Sequence, residues 1–284
     1  MIHIVTDSTA SIPTGMAASL GVRVVSLRVV LPEMTYRDQV DISAEEFYRL
    51  LPQCEGLPTT SQPPANEFEK VFREACDGGN QVLAILISSR LSGTVASAVA
   101  AQRALPELPI TVFDSLTTSG VLALMVQYAA EQAASGAAMA QIIAGLEEIR
   151  KRAQLLFTIA TFRYLQKGGR IGGASALAAS VLRIQPILTL HEGAIEVWSK
   201  VRGKRKALQA IVETARERGG TGDHMRVVVV HGNDPESASA LAGDVSEALQ
   251  CPRPELMQIS PVLGVHVGPG TVGLGYYSTR WVQP

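Results

Sequence analysis

Ile85-Leu-Ile-Ser-Ser-Arg-Leu-Ser-Gly-Thr94, running on into Val95-Ala-Ser-Ala-Val-Ala-Ala-Gln-Arg-Ala104, reads as a strand that turns into a helix. The apolar, β-branched run from Val82 to Ile87 has the texture of a strand buried on both faces. The alanine-rich segment behind it carries no strand alternation and has the composition of a helix. Three serines, a glycine and a threonine lie between them. A turn of this kind leaves unpaired backbone N–H groups and a positive dipole end beyond the strand. Ser92, Gly93 and Thr94 stand at that point. Two readings are open: Ser92 or Thr94 caps the helix, or the turn holds a ligand with a negative head group.

Working outward, strands and helices alternate through the first half. Ile2–Thr6 is a strand ending in Asp7-Ser8-Thr9, with a helix from Pro13 to Leu20 behind it. Polar side chains at a strand's carboxyl end lie where ligands collect in open α/β sheets. For Asp7 an Asx-turn serving the local backbone is the competing role. Val22–Leu31 is the next strand, and Tyr36–Ile42 a polar excursion. Ser43-x-x-Glu46 is a capping box opening a helix with Phe47, Leu50 and Leu51. Pro58-Thr-Thr-Ser-Gln-Pro-Pro64 is too proline-rich for strand or helix and reads as a loop presenting hydroxyls. Ile110–Phe113 is a strand that again ends in Asp-Ser (Asp114, Ser115), followed by helices over Gly120–Ala134 and Met139–Arg152. This alternation predicts a mostly parallel sheet.

At Leu155 the texture changes. A strand over Leu155–Ala160 and a short helix over Phe162–Gln166 lead to Lys167-Gly-Gly-Arg-Ile-Gly-Gly173, which opens a helix over Ala174–Leu182. Gln185–Leu190 and Ala194–Lys200 bracket His191-Glu-Gly193, a hairpin by pattern. A helix over Val201–Arg218, a strand over Met225–Val230, a helix over Pro235–Leu249 and a strand over Glu255–Ser260 follow. Gly264-Val-His-Val-Gly-Pro-Gly-Thr-Val-Gly273 reads as a tight loop before a last strand through Tyr277. The expected fold is therefore α/β in two domains. Residues 1–155 form a domain with a mostly parallel sheet. Residues 156–284 form one with a mixed or antiparallel sheet flanked by helices.

Composition narrows the function. With 46% hydrophobic and 18% charged residues over 284 positions, the chain can bury a sizeable core, which excludes disorder. A formal net charge of -1 gives no basis for nucleic-acid binding. Cys54, Cys76 and Cys251 lack metal-site spacing and an even count, which points to a reducing cytoplasm. The expectation is a cytosolic protein with no secretory leader, since Met1-Ile-His-Ile begins as a strand and no run reaches membrane-spanning length.

Gly268-Pro-Gly270-Thr-Val-Gly273 matches G-x-G-x-x-G but is no dinucleotide fingerprint. The helix and the acidic residue that must follow are missing, and Tyr276, Tyr277 and Trp281 continue as strand. The glycines instead shape a loop that aims His266, as a structural hydrogen-bonding residue or as a ligand contact. Ser92, Asp114 and His266 occur in the order of an α/β-hydrolase triad, which makes a serine hydrolase the alternative function. The nucleophile elbow needs small residues two places either side of the serine, and here those places hold Arg90 and Thr94. Lys200-Val-Arg202-Gly-Lys204-Arg205-Lys206 sets cations at a helix start, against the macrodipole. It is a solvated face or a docking patch for an anionic partner. Arg170, in the Gly-rich segment, is a structural turn residue or part of an inter-domain hinge.

Taken in order, eight short motifs resemble the DegV family of bacterial fatty-acid-binding proteins. They are Asp7-Ser8-Thr9, Thr60-Ser61-Gln62-Pro63, Ile87-Ser-Ser-Arg-Leu-Ser-Gly-Thr94, Asp114-Ser115, Tyr164-Leu-Gln-Lys-Gly-Gly-Arg-Ile171, Pro186-Ile-Leu, the basic segment at Arg202, and His266-Val-Gly-Pro-Gly-Thr271. The resemblance implies a buried long-chain fatty acid as ligand, no cofactor, and a carboxylate near the domain interface held by Thr60, Ser92 and His266. Gly93 is a further candidate contact. It also implies a carrier without catalysis of its own, which presents the acid to an ATP-dependent fatty acid kinase protein for conversion to acyl-phosphate. Arg202 is the residue tied to that transfer, and membrane contact would be transient at most. Arg90 replaces the small or polar residue commoner in the family's Ser-Ser-x-Leu-Ser-Gly-Thr turn. The apolar helices of the first domain are expected to line the tail pocket.

Overall fold

The computed structural model describes residues 1–31, 34–175 and 184–282. In chain order, β1 (Ile2–Asp7) leads through α1 (Thr14–Ser19) to β2 (Arg23–Val25), β3 (Arg28–Val30) and β4 (Thr35–Arg37). Then come α2 (Ala44–Leu50), β5 (Thr59–Ser61), α3 (Ala65–Cys76), β6 (Gln81–Leu86), α4 (Thr94–Ala104) and β7 (Ile110–Asp114). Next are α5 (Ser119–Ala134), α6 (Met139–Arg152), β8 (Gln154–Thr158), α7 (Arg163–Lys167), β9 (Gln185–His191) and β10 (Ala194–Val201). The last part holds α8 (Lys204–Gly219), β11 (Met225–His231), α9 (Pro235–Leu249), β12 (Glu255–Gln258), α10 (Pro261–Val267) and β13 (Val272–Ser278).

Three sheets result. A four-stranded parallel sheet runs β2-β1-β6-β7, a six-stranded mixed sheet β10-β9-β8-β13-β11-β12, and a small antiparallel sheet β4-β3-β5. Strand alternation sorts the side chains by face. Val5, Val82, Ala84 and Leu86 meet Phe68 and Phe72 of α3 on one side of the parallel sheet. Ile4, Leu83 and Ile85 face α5 on the other. In the mixed sheet Leu155, Phe157 and Val230 turn toward α5. Leu156, Val229 and Leu274 turn toward α8 and α9. The α/β expectation, with a parallel first sheet and a mixed second one, matches this architecture.

The middle layer is α5, apolar on every side, with Val121, Leu122, Leu124, Met125 and Val126 all buried. Each such side chain is worth about 1.5–3 kcal/mol when removed from water. Glycine permits its close approach to β13 and β11. A Cβ on Gly275 would lie 3.1 Å from the Val121 nitrogen, and one on Gly120 would lie 2.6 Å from Val228 Cγ1.

Several expected elements change. Val22–Leu31 is not one strand. It breaks at Ser26 and Leu27, where the Leu27 N–H donates to Ser8 Oγ at 3.1 Å, and β3 leaves for the small sheet. The Tyr36–Ile42 excursion overlaps the hairpin strand β4, which starts at Thr35. The Pro58–Pro64 loop contains a strand as well. Thr59–Ser61 pairs with β3 because its prolines flank the paired residues instead of interrupting them. The stretch read as a loop from Gly264 begins inside α10, so His266 stands in the last turn of a helix. The hairpin over β9 and β10 stands as read, with Glu192 (φ 47°) and Gly193 (φ 81°) supplying its left-handed turn. Most of the helix expected over Ala174–Leu182 lies outside the described residues.

Candidate functional site

Three stretches far apart in sequence meet at one cavity. It opens to solvent, and Thr60, Ser92 and His266 all line it. β5 carries Thr60, the turn before α4 carries Ser92, and the last turn of α10 carries His266.

Thr60 Oγ1 and His266 Nε2 are 2.8 Å apart. Burial, helped by the nearby Arg170 charge, lowers the His266 pKa to about 4, so its ring is neutral at pH 7. Its other nitrogen, Nδ1, is buried without a partner, and a Cβ on Gly168 would lie 2.3 Å from it. A buried N–H without an acceptor is rarer than an unfilled lone pair, which puts the proton on Nε2. His266 therefore donates to Thr60, and the Thr60 hydroxyl proton is free to point into the cavity.

Ser92 Oγ is 2.9 Å from Thr94 Oγ1 and accepts from the Thr94 N–H at 3.3 Å. Gly93 precedes α4 and does not line the cavity. Its missing side chain makes room for Gln62, whose Oε1 would be 2.4 Å from a Cβ there. The Thr-Ser-Gln-Pro and Leu-Ser-Gly-Thr motifs are thus packed edge to edge.

Arg170 completes the mouth. Its Nε donates to the Leu91 carbonyl at 3.1 Å and its Nη1 to the Gly168 carbonyl at 2.8 Å, and the residue lines the cavity. Reading the sequence as turn or hinge missed this placement. The available signal was a lone cation in a Gly-Gly-Arg segment too short to fold on its own. Deeper in, the wall is apolar: Leu155, Phe157, Leu190, Ile195 and Val230 from the mixed sheet, with Val262 and Leu263 from α10. The first-domain helices expected there contribute little, because α5 is the layer between the sheets and reaches the cavity only at Ser119.

Other candidates fall elsewhere. Asp7 is fully buried and accepts from the Thr9 N–H at 2.9 Å and the Ile87 N–H at 2.7 Å. It ties β1 to the end of β6 and is structural. Asp114 accepts from the Ser89 and Leu116 N–H groups at 3.2 and 3.0 Å. No hydrogen bond among the described residues joins Ser92, Asp114 and His266, so the hydrolase triad is not assembled. Arg202 is exposed in the bend between β10 and α8, away from the cavity lining. Lys204, expected in the same basic patch, is instead paired with Asp234 and donates to the Gly270 carbonyl at 3.1 Å. Arg90 is exposed.

Beneath α10 lies a second polar group of residues. Asp38 is buried, and its Oδ1 accepts from the Val262 N–H at 3.2 Å. Its Oδ2, the Tyr48 hydroxyl and Ser260 Oγ are buried without partners. Burial pushes the Asp38 carboxyl up to about 7. Among the described residues no group of histidines, cysteines and carboxylates is arranged to hold a metal. No helix among them is long and apolar enough to cross a membrane.

Fold and cavity define a class: a three-sheet α/β protein with a largely apolar chamber rimmed by hydroxyls, a neutral imidazole and a guanidinium. The family model described as an uncharacterised protein of the DegV family matches residues 1–279, and the chain belongs to that family. A DegV domain-containing protein of Clostridium perfringens is 36% identical over 279 residues, covering 97% of this chain and 98% of that protein. A solved Thermus thermophilus structure, described as fatty acid binding of a DegV family protein, superposes with a TM-score of 0.92 at 36% identity. It covers 98% of this chain and 99% of its own. A Eubacterium ventriosum protein described as binding stearic acid has a TM-score of 0.90 at 27% identity, with both chains covered completely.

Proposed function

We propose that this chain binds a long-chain fatty acid in the cavity, carboxylate at the mouth and tail along the mixed sheet, and presents it to an ATP-dependent kinase protein. The carrying observation is the meeting of Thr60, Ser92 and His266 on one chamber whose deeper wall is apolar. A carboxylate only accepts hydrogen bonds, and the rim offers donors: the Thr60 hydroxyl, the Ser92 hydroxyl and the Arg170 guanidinium. With His266 neutral, Arg170 is the cation that balances the head group. Each buried methylene contributes about 0.8 kcal/mol, so a sixteen-carbon tail supplies on the order of 10 kcal/mol before ordering costs. Tail burial sets the affinity, and the rim sets which end faces out.

The relatives described as fatty-acid-binding support the ligand class. In the proposed transfer the carboxylate oxygen accepts a phosphoryl group from ATP on the partner protein, giving acyl-phosphate. Arg202, exposed and with no ion pair among the described residues, serves that encounter. We assign the protein to the cytoplasm on its three free cysteines. We also take residues 1–155 and 156–284 as its two units. The test is native mass spectrometry with organic extraction of freshly purified, non-delipidated protein. One equivalent of a long-chain acid is expected, and protein free of any acid that also fails to take one up refutes the reading.

A further inference from the structure

Ser119 puts a hydroxyl group on a wall that is otherwise apolar. It opens α5, lines the cavity and is 4% exposed. A Cβ on the next residue, Gly120, would lie 3.0 Å from Val230 Cγ1, and Val230 lines the cavity with Leu155 and Phe157. Ser119 therefore stands with the wall that the mixed sheet supplies. Its backbone is left-handed (φ 52°), a conformation that favours glycine over serine. Its Oγ is buried and has no hydrogen-bond partner. The other buried hydroxyls on the lining are engaged. Thr118 Oγ1 donates to the Thr9 carbonyl at 3.5 Å, and Thr271 Oγ1 to the Val267 and Gly268 carbonyls at 3.0 Å each. A buried hydroxyl left unpaired on a strained backbone is a cost that the fold itself does not offset.

We propose that Ser119 is a specificity residue for fatty acids that carry a hydroxyl in the middle of the chain. This rests on the fatty-acid reading above. A plain acyl chain packed on this wall offers the Ser119 hydroxyl no acceptor. A mid-chain hydroxyl accepts from Ser119 Oγ and can donate back to it, which offsets the water that the ligand's own hydroxyl gives up on entry. On a wall of leucine, phenylalanine and valine alone that hydroxyl would be buried unpaired, and the substituted acid would be rejected.

The experiment measures dissociation constants of delipidated wild type, Ser119→Ala and Ser119→Gly for stearic acid and for stearic acids hydroxylated at carbon two, ten or twelve. A melting temperature is taken for each protein. Removing the Ser119 hydroxyl is expected to lower affinity for a mid-chain hydroxy acid, relative to stearic acid, by about five- to tenfold, the worth of one hydrogen bond between neutral groups. The carbon-two acid, whose hydroxyl lies beside the carboxylate, is expected to keep its ratio. Glycine takes up the left-handed backbone without strain, so Ser119→Gly keeps the proposal testable if the alanine variant does not fold. Wild type that binds stearic acid, with all folded proteins sharing one ratio for both mid-chain acids, overturns the role of Ser119 and leaves the fatty-acid reading intact. An equal loss for the carbon-two acid overturns it as well. Wild type that binds no acid at all overturns both.

Discussion

Replacing Asp38 with asparagine should make the protein more stable at pH 8 and hardly change it at pH 4. The carboxyl is buried against Ser8, Ser260 and Tyr48, with the equally buried Asp7 adding negative charge nearby. Desolvation is the main reason its pKa rises from 3.8 to about 7. Between those values the folded state holds a proton that the unfolded state has released. The stabilisation from this group is therefore fully present below pH 3.8 and is lost as pH rises through 7. Three units at 1.36 kcal/mol each set a ceiling of about 4 kcal/mol. Relaxation and water entry around a buried charge bring the observed gain to about 1–3 kcal/mol. Asparagine keeps an oxygen to accept from the Val262 N–H. It also offers donors where Oδ2, Ser260 Oγ and the Tyr48 hydroxyl stand unpaired. At about 2–4 °C per kcal/mol for a chain of this size, Asp38→Asn should melt several degrees higher at pH 8. Urea titrations of both proteins at pH 4, 6 and 8 follow the difference across the window. An advantage of equal size at all three values, or a variant less stable at pH 8, would refute the reasoning.

Thr60→Ala and Ser92→Ala should each fold normally and weaken fatty-acid binding by about 1.5–3 kcal/mol, the worth of one hydrogen bond to a charged acceptor; isothermal titration with a C16 acid measures it. Gly168→Ala should drive a Cβ into the His266 ring and weaken binding at least as much as Thr60→Ala, with little change in melting temperature. Comparing the two variants in one titration series checks the order. Arg202→Ala should keep full lipid occupancy and lower acyl-phosphate yield with the partner kinase present. Raised salt should weaken the same encounter, because exposed charges are screened over about 8–10 Å.

The strand–turn–helix around Ser92 and the hairpin around Gly193 were legible because each is specified locally, by a change of period or by turn chemistry. What escaped was specified at a distance. β5 is three residues between prolines and is a strand only because β3 lies beside it. Pro261-Val-Leu-Gly-Val-His-Val267 is an apolar run too short for periodicity to separate helix from strand. The rim showed the same division. Thr60, Ser92 and His266 stood out by motif, whereas Arg170 became meaningful only once Leu91 and Gly168 were beside it. The apolar wall of the cavity could not be read at all. Which of Leu155 and Leu156 faces the cavity depends on the orientation of a sheet in which β8 lies beside β13, more than a hundred residues further along the chain.

That sheet order bears on how the protein is made. β13 lies between β8 and β11, so the mixed sheet has no centre until residues 272–278 have been synthesised. α5 is complete long before, with one apolar side already covered by the parallel sheet and the other awaiting β13 and β11. At about 5–20 residues per second, a nascent chain carries that uncovered side for on the order of ten seconds. The cavity can close only once His266 and β13 have both been made.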